Sequence, residues 1–242
     1  MKTESALSPK ILCMCGKDIG YLIAEFLLEQ KANVRFIVNP DEKPGEWYRT
    51  PRELNIEELT ESEIAQFKPD LIFTAFYNRI LPVSIYSIPP LGCWNLHLAD
   101  SELYRGAHPN IHAIRNGDTE FGVTIHLIDS GIDTGSILAK SVFPLSSSAT
   151  GRDLYELMVI EGVKLFIRCF PDLAGGKALK LTRAQDNSRA VTHFRHELSH
   201  RVYPSESFSN SVRALAFPPF PPPYFMIGNR RFKITEDTGD DR

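Results

Sequence analysis

The sequence predicts a doubly wound α/β domain with a mostly parallel sheet, followed by a small appendage. Short apolar runs alternate with amphipathic stretches through about residue 175, which is the pattern of strands joined by helices. After that point the composition becomes polar and then rich in proline. A chain of 242 residues with 43% hydrophobic residues can hold one large core and a small extension. We expect a main domain over residues 1–180 and an extension over residues 181–242.

The main domain is predicted to open with a β-α-β unit. Lys10–Cys15 and Asn33–Val38 are short apolar runs, and Tyr21–Gln30 between them has apolar residues at helical spacing. Such a unit forms a right-handed crossover between parallel strands. Thr60-Glu-Ser-Glu63 matches a capping box and predicts the start of a short helix. Two further apolar runs predict strands: Leu71–Ala75 and Leu91–Leu96.

The second half of the chain continues the alternation and then changes character. We expect a helix over Asn110–Arg115, and a long amphipathic helix that begins at Ser148–Arg152 and runs to about Phe170. Two strands are predicted between these helices: Gly122–Ile128 and Ser136–Phe143. The extension is expected to contain a helix, a Pro-rich connector and a hairpin that turns at Gly228-Asn229. Their ranges are Ser205–Ala216, Phe217–Tyr224 and Tyr224–Ile234.

Composition excludes several classes of function. The net charge of −3 gives no electrostatic reason to expect a nucleic acid or an anionic membrane as partner. The N-terminus has no apolar segment of the signal-peptide kind, and no apolar run is long enough to span a bilayer. All four cysteines lie in apolar surroundings, so we interpret them as reduced core residues of a cytoplasmic protein.

Three polar side chains stand out between residues 94 and 138. Asn95 and His97 are two apart near the carboxyl end of a predicted strand, so both face one side of the sheet. Open α/β sheets bind their ligands at that edge. Asp133 lies in a turn bounded by Gly131 and Gly135. Each residue alone has an ordinary structural reading as a turn or core residue. Together they can stabilise an oxyanion and move a proton, so we favour acyl-transfer chemistry.

The motifs of this region, in their order and spacing, resemble those of the folate-dependent formyltransferases. The resemblance covers roughly residues 10–175 and implies a Rossmann-like sheet. It rests on five segments: Asn78-Arg-Ile-Leu-Pro82, Asn95-Leu-His97, Tyr104-Arg-Gly106, Gly122-Val-Thr-Ile-His126 and Asp133-Thr-Gly-Ser-Ile137. It implies that Asn95, His97 and Asp133 are the catalytic trio, that 10-formyltetrahydrofolate is the formyl donor, and that no metal is needed.

The resemblance also implies a role for each site residue. An amine attacks the formyl carbon while Asn95 and a protonated His97 donate hydrogen bonds to the developing oxyanion. Asp133, paired with His97, would relay a proton through water. Main-chain groups of two segments are expected to hold the pterin ring of the folate. These segments are Arg79, Ile80 and Leu81, and then Ile128 and Asp129.

The acceptor implied by the closest branch of the family is a nucleotide-diphosphate-linked amino deoxysugar, whose product would enter a surface polysaccharide. The helix and hairpin of the extension are similar to a piece found in the sugar N-formyltransferases. Tyr104, Arg105 and Tyr224 are expected contacts to this substrate, and the exposed hairpin makes a homodimer reasonable. The acidic run Leu98–Leu103 departs from the apolar run usual in the family.

Two other acceptors are weighed against the sugar. Glycinamide ribonucleotide formyltransferase uses a Ser-Asn pair in the loop after the first strand, and Gly16–Gly20 lacks that pair. Methionyl-tRNA formyltransferase has a C-terminal barrel and a basic tRNA surface. We expect the residues after the core to be too few for the barrel, and the chain is net acidic.

A motif of another enzyme class competes with this interpretation. His196-Glu197-Leu-Ser-His200 matches the zinc metalloprotease pattern, in which a helix brings two histidines to one face. Arg195 and Arg201 flank it, and the polar surroundings favour a solvated loop or short helix instead. A binding protein that has lost catalysis and a hydrolase that transfers formyl to water are further rivals. The complete trio argues against the former, and no additional regulatory domain supports the latter.

Overall fold

A computed structural model describes residues 8–42, 47–203 and 207–235. Its centre is a six-stranded sheet in the order β2-β1-β3-β4-β6-β7. The first four strands in that order pair in parallel, while β4–β6 and β6–β7 pair antiparallel. The ten strands are β1 (Ile11–Cys15), β2 (Val34–Val38), β3 (Leu71–Ala75), β4 (Cys93–His97), β5 (Tyr104–Gly106), β6 (Glu120–Leu127), β7 (Ile137–Pro144), β8 (Val191–His193), β9 (Tyr224–Ile227) and β10 (Arg230–Lys233).

Helices cover both faces of this sheet. They are α1 (Lys17–Glu29), α2 (Ile64–Phe67), α3 (Val83–Tyr86), α4 (Pro109–Asn116), α5 (Gly151–Ala174), α6 (Ala178–Leu181) and α7 (Phe208–Leu215). Alternate residues of β1 enter opposite cores: Cys13 packs with the side of α1 and α5, whereas Met14 packs with the side of α2. The predicted doubly wound, mostly parallel fold is therefore confirmed. The four cysteines are buried and unpaired.

The sequence prediction placed the start of the first helix too late. The helix was expected from Tyr21, but α1 begins at Lys17, directly after the N-cap residue Gly16. The amide of Gly20 donates to the carbonyl oxygen of Gly16 at 2.9 Å and closes the first turn. A Cβ atom on Gly16 would overlap the side chain of Glu42, so only glycine allows the backbone to lie this close to Glu42. Lys17–Gly20 is thus the first turn of a helix rather than a loop.

The capping box at Thr60 is present, but it produces less helix than expected. Thr60 caps a 3-10 turn over Glu61–Glu63, and α2 adds only four residues before Lys68 takes a left-handed conformation with φ +50°. The long helix α5 has its own capping box, in which Thr150 and Asp153 pair reciprocally. These caps satisfy amide donors that a helix leaves unpaired at its first turn.

The extension folds back onto the main domain. β8 pairs in parallel with β5, and the backbones of Ile137 and Arg183 exchange hydrogen bonds of 2.8 and 2.9 Å. α7 packs against α4. The hairpin β9–β10 forms as expected and turns through Gly228 with φ +56°. The first residues of the predicted helix over 205–216, including Ser205, and the residues after 235 lie outside the described residues, and the domain division at about residue 180 stays a prediction.

Within the described ranges, no helix combines the length and the apolar character that crossing a bilayer requires.

Candidate active site

A cavity of about 620 Å³ lies at the carboxyl ends of the parallel strands. Thr74 and Phe76 reach it from the end of β3, and Asn95 and His97 reach it from β4. The turn after β6 contributes Asp133. The structure therefore brings together the three polar side chains that sequence reasoning singled out, although they are 38 residues apart at most. This is the sheet edge at which open α/β folds bind ligands.

Asp133 is the centre of the polar cluster. Its carboxylate lies 3.4 Å from Nδ1 of His97 and 3.4 Å from Nε2 of His126, and it accepts a 2.9 Å hydrogen bond from the amide of Gly106. Burial opposes ionisation of this carboxyl. The electrostatic interaction with His97, the contact with His126 and the Gly106 amide outweigh burial and hold the pKa of Asp133 well below its usual range. The carboxylate is therefore charged at any physiological pH.

The backbone aims this carboxylate into the cavity by an unusual conformation. Asp133 has φ +53°, a left-handed value that aspartate tolerates better than most residues. Gly106, with φ +76°, lets β5 approach β8 so closely that a Cβ there would overlap the carbonyl oxygen of His193. The glycine of the Tyr-Arg-Gly motif thus fixes both a strand pairing and the amide that holds Asp133.

The ring of His97 is oriented by a main-chain group. Nε2 lies 2.9 Å from the carbonyl oxygen of Tyr104, which can only accept, so Nε2 carries a proton. Nδ1 is consequently the nitrogen that faces Asp133 and the cavity. A second proton on Nδ1 would form an ion pair with the carboxylate at 3.4 Å. Nδ1 of His97 is the position at which this site can hold or release a proton.

The amide of Asn95 is held at both ends. Its Oδ1 accepts a 2.7 Å hydrogen bond from the hydroxyl of Thr74. Its Nδ2 lies 3.3 Å from Oδ1 of Asp133 and 3.3 Å from Nε2 of His126. The side chain thereby presents N–H groups to the cavity, as oxyanion stabilisation requires.

Sequence reasoning missed His126 and Thr74 as parts of this cluster. His126 is only 2% exposed, and its Nδ1 lies 2.7 Å from the carbonyl oxygen of Leu127. The signal was a lone imidazole inside the apolar strand β6, within a motif that had been recognised. Its place beside Asn95 follows from strand register, which pairs the two residues across β4 and β6.

One wall of the cavity has free main-chain groups. Within the described ranges, no protein group forms a hydrogen bond with the backbone of Arg79, Ile80 or Leu81, and all three line the cavity. Ile128 and Asp129 line it as well. The amide of Ile128 already donates to the carbonyl oxygen of Cys93 at 2.8 Å, so only the carbonyl group of Ile128 is available to a ligand. This wall can pair with a flat heterocycle that carries donors and acceptors.

A second part of the lining is aromatic and basic, and some of it comes from the extension. The rings of Trp47 and Phe217 lie 5.2 Å apart, and Nζ of Lys17 lies 5.4 Å from the Trp47 ring. His108 also lines the cavity; burial and the charges of nearby Arg195, His200 and Lys17 lower its pKa. The extension contributes eight of the lining residues: His193, Phe194, Arg195, Leu198, His200, Leu215, Phe217 and Phe220.

The three residues expected to contact the acceptor do not line the cavity. The hydroxyl of Tyr104 donates to Asp118 at 2.6 Å. Arg105 is 7% exposed and donates to the carbonyl oxygen of Ser101 and to two side chains of the extension, Gln185 and Asn187. Tyr224 pairs its backbone with His200 and Val202, and Arg231 covers its ring at 4.2 Å. Their side chains support the walls, so direct substrate contact is not assigned to them.

The acidic run before the Tyr-Arg-Gly motif is also structural. Lys140 donates to Asp100 and Glu102 at 2.9 Å each, and Arg183 donates to Glu102 at 2.7 Å. The hydrogen bond from Arg183, together with those from Asp186 and Lys140, outweighs burial and holds the pKa of Glu102 well below its usual range. These acids attach the extension to β7 and leave the trio unaltered.

The metalloprotease interpretation of His196–His200 is wrong on geometric grounds. A 3-10 turn covers only Arg195–Glu197, and Leu198 already has extended ψ, so no helix brings the two histidines to one face. His196 stacks on Phe194, whereas His200 lines the cavity. Among the residues that the structure describes, no group of three or more His, Cys, Asp or Glu side chains has an arrangement that could hold a metal ion.

Comparison with solved structures agrees with this architecture. An N-formyltransferase from Helicobacter canadensis, crystallised with folinic acid and dTDP-3-aminofucose, superposes with a TM-score of 0.79 at 24% identity, covering 91% of this chain and 84% of that one. A 4-N formyltransferase from Francisella tularensis gives 0.76 at 20% identity, covering 95% and 97%. Methionyl-tRNA formyltransferase from Clostridium thermocellum gives 0.64 at 20% identity, covering 94% and 92%. At these sequence identities, the structural similarity shows that this chain shares the fold of these proteins.

Comparison with protein sequences identifies the family. Methionyl-tRNA formyltransferase of Marinobacter nauticus is 35% identical over 181 residues, which are 73% of this chain and 57% of that protein. The enzyme of Carboxydothermus hydrogenoformans is 32% identical over 190 residues, 76% and 59%. The chain thus spans less than two thirds of the length of these relatives. The family model described as formyl transferase matches residues 19–169, which include Asn95, His97 and Asp133, and the chain belongs to the formyl transferase family.

Proposed function

We propose that this protein transfers a formyl group from 10-formyltetrahydrofolate to the amine of a nucleotide-diphosphate-linked amino deoxysugar. The observation that carries the proposal is one cavity that the trio Asn95, His97 and Asp133 shares with two unlike sets of lining groups. One set, the donor wall, offers free main-chain groups, and the other, the acceptor wall, offers aromatic rings and basic side chains. Two different molecules can therefore meet at the trio.

The donor wall suits the pterin of a formyl-folate. The unpaired main chain of Arg79, Ile80 and Leu81 can match the ring's donors and acceptors, and Ile128 and Asp129 line the same cavity. The carboxylate of Asp129 already accepts from the amide of Gly131 at 3.0 Å and from Thr134 at 2.6 Å. It therefore shapes the turn, while its main chain contacts the ligand.

The trio supplies what amine formylation requires. As the amine nitrogen bonds to the formyl carbon, negative charge develops on the formyl oxygen, where N–H groups of Asn95 and of His97 stabilise it. The nitrogen must lose a proton, and the folate nitrogen must gain one when its bond to the formyl carbon breaks. Asp133 and Nδ1 of His97, 3.4 Å apart, can accept and return that proton through water.

The acceptor wall suits a nucleotide sugar. Aromatic rings such as Trp47 and Phe220 can stack on a base, and this kind of contact contributes about 1–3 kcal/mol per base. Lys17, His108 and Arg195 place positive or polar groups nearby for a diphosphate. The structure of the Helicobacter relative contains a dTDP-linked amino sugar, which gives the proposal its nucleotide class.

Methionyl-tRNA is the second candidate acceptor. The curated relatives with 35% and 32% identity favour it. The net charge of −3 favours the sugar, because tRNA binding depends on a basic surface that neutralises phosphates.

A panel of acceptors separates these candidates. Purified protein would be incubated with ¹³C-formyl-tetrahydrofolate and, separately, dTDP-, GDP- and UDP-linked amino sugars, methionyl-tRNA and glycinamide ribonucleotide, and formylated products would be detected by mass spectrometry. We expect label on an amino sugar and none on the other two acceptors. Label on methionyl-tRNA or glycinamide ribonucleotide, with none on any amino sugar, would overturn the choice of acceptor.

Three further expectations accompany the proposal. The product would enter a surface polysaccharide. The cytoplasm is the proposed location, in keeping with four unpaired cysteines. The hairpin β9–β10 is proposed as part of a homodimer contact because it exposes Ile227 and Phe232.

A further inference from the structure

We propose that Thr74 and His126 are positioning residues that clamp the amide of Asn95 so that the N–H not directed at His126 can reach the reacting formyl oxygen. This inference rests on the proposed function, because it takes Asn95 to be the oxyanion donor. The three residues form one row across neighbouring strands. Thr74 and Asn95 are register partners on β3 and β4, and Asn95 and His126 are partners on β4 and β6. Their hydrogen bonds therefore run along the sheet, through its rigid centre.

The row has a direction, and a main-chain carbonyl sets it. The carbonyl oxygen of Leu127 can only accept, so Nδ1 of His126, 2.7 Å away, must be its donor. In the neutral imidazole this leaves Nε2 as an acceptor, facing Nδ2 of Asn95 at 3.3 Å. At the far end the hydroxyl of Thr74 donates to Oδ1 of Asn95 at 2.7 Å. Each donor in the row points from β3 towards β6, and this shared direction allows only one orientation of the Asn95 amide.

The opposite orientation of the amide would defeat the site. The oxygen and nitrogen of an asparagine amide are nearly equal in shape, so hydrogen bonding alone decides between them. A flipped Asn95 would place Oδ1 against the carboxylate of Asp133, where Nδ2 now lies 3.3 Å away. It would also present an acceptor to a developing oxyanion. Thr74 and His126 together make that orientation unfavourable from both ends.

The clamp also assigns different roles to the two imidazoles beside Asp133. Oδ2 of Asp133 lies 3.4 Å from Nδ1 of His97, and Oδ1 lies 3.4 Å from Nε2 of His126. Within the row, Nε2 of His126 also accepts from the N–H of Asn95, whereas no described side chain donates to Nδ1 of His97. The clamp therefore requires an unprotonated Nε2 on His126, and it places no such requirement on Nδ1 of His97.

The hydroxyl of Thr74 offers a matched pair of variants. Thr74→Val keeps the shape and removes the donor, whereas Thr74→Ser keeps the donor and removes a methyl group. We expect Thr74→Val to lower kcat by about 10- to 100-fold, with KM for formyl-folate unchanged, and Thr74→Ser to retain kcat within about threefold of wild type. If Thr74 had only a structural role, any loss of kcat in the two variants would follow their loss of melting temperature, and kcat alone would not distinguish them.

A double-mutant cycle isolates the contact with Asn95. In an Asn95→Ala background we expect Thr74→Val to cause no further loss, because the group it positions is gone. Equal activity of Thr74→Val and wild type, equal loss in Thr74→Val and Thr74→Ser, or the same fold loss in both backgrounds would each overturn the inference.

A measurement without turnover tests the other end of the clamp. ¹⁵N NMR of histidine-labelled protein at neutral pH should show His126 as the neutral tautomer protonated at Nδ1, with the assignment made by comparison with His126→Gln. The Nε2-protonated tautomer or an imidazolium at His126 would overturn the clamp. If wild-type protein formylates no acceptor, the proposed function fails while this measurement still decides the clamp.

Discussion

Replacement of Asp133 by asparagine is the perturbation that tests the polar cluster most sharply. Asparagine keeps the shape of the side chain, so Gly106 retains an acceptor for its amide at 2.9 Å. The negative charge between the two imidazoles is lost. In wild type this charge favours a proton on Nδ1 of His97, 3.4 Å away. The change therefore separates the electrostatic contribution of Asp133 from its role in packing.

The expected size of the effect follows from the geometry. Asp133 lies 3.4 Å from Nδ1 of His97, within the distance at which an opposite charge favours the charged form of a group. The limb of the pH–rate profile on which activity is lost by deprotonation should therefore move to lower pH in Asp133→Asn. Loss of proton relay should lower kcat by about 10²- to 10⁴-fold.

Stability should respond to the same change in a defined pH window. The folded-state pKa of Asp133 is depressed, so the carboxylate contributes stability above the ordinary carboxyl range. That contribution is lost only as pH falls through the folded-state value. The difference in free energy of unfolding between wild type and Asp133→Asn should therefore shrink as pH falls below about 5, and above that pH the ionisation of Asp133 itself adds no further pH dependence.

The assay is release of tetrahydrofolate with a saturating acceptor, measured across pH for wild type, Asp133→Asn and a control. Asp172→Asn on α5 makes the same chemical change outside the cavity lining and should reproduce the wild-type profile. An Asp133→Asn profile that keeps its limb within a few tenths of a pH unit of wild type, even with a reduced rate, would remove Asp133 from proton handling.

The remaining predictions concern the strand contact, the acceptor wall and the histidines near it. Gly106→Ala should lower both the melting temperature and kcat, because a Cβ there overlaps the carbonyl oxygen of His193; a variant with wild-type values would show that this close approach is not needed. Phe220 lines the cavity and is 45% exposed, so Phe220→Ala should raise KM for the acceptor about 5- to 100-fold and leave KM for formyl-folate unchanged. Phe208 is 56% exposed and lies outside the lining, so Phe208→Ala should change neither KM value. Equal effects of the two variants would disprove the contact between Phe220 and the acceptor. Burial and nearby cationic groups lower the pKa of His112 to about 4, so the unfolded chain binds this proton more readily than the folded protein does. The free energy of unfolding should therefore fall as pH drops from about 6.5 towards 4. Denaturant titrations of His112→Gln should show a smaller fall, and an unchanged fall would exclude His112 as its source.

Local patterns predicted most of the main domain. The five-residue strands β1 to β4 are apolar runs bounded by polar or turn residues, and each was placed within two residues of its observed bounds. The start of α1 was missed because Gly16 and Gly20 suggested a loop. In the fold these glycines serve close packing instead, against Glu42 and Cys15. Tertiary contacts decided that case, and they are not encoded in neighbouring residues.

The candidate site was predictable where residues share a strand or a turn. Asn95 and His97 follow from the two-residue period of β4, and the resemblance supplied Asp133. His126 could not be placed without the register between β4 and β6. The direction of the Arg105 side chain could not be predicted, because a motif near a site does not reveal it, and its contact with the acceptor stays a prediction. Its guanidinium faces Gln185, 80 residues further along the chain.

The central claim is that the trio transfers formyl from a folate to the amine of a nucleotide-linked sugar. The most direct test follows ¹³C label from formyl-tetrahydrofolate onto such an amine, with wild type and His97→Ala compared under the same conditions and their folding checked by circular dichroism. We predict labelled amino sugar with wild type and a rate lower by about 10²- to 10⁴-fold with folded His97→Ala. Label on methionyl-tRNA alone, or equal rates for the two proteins, would contradict the claim.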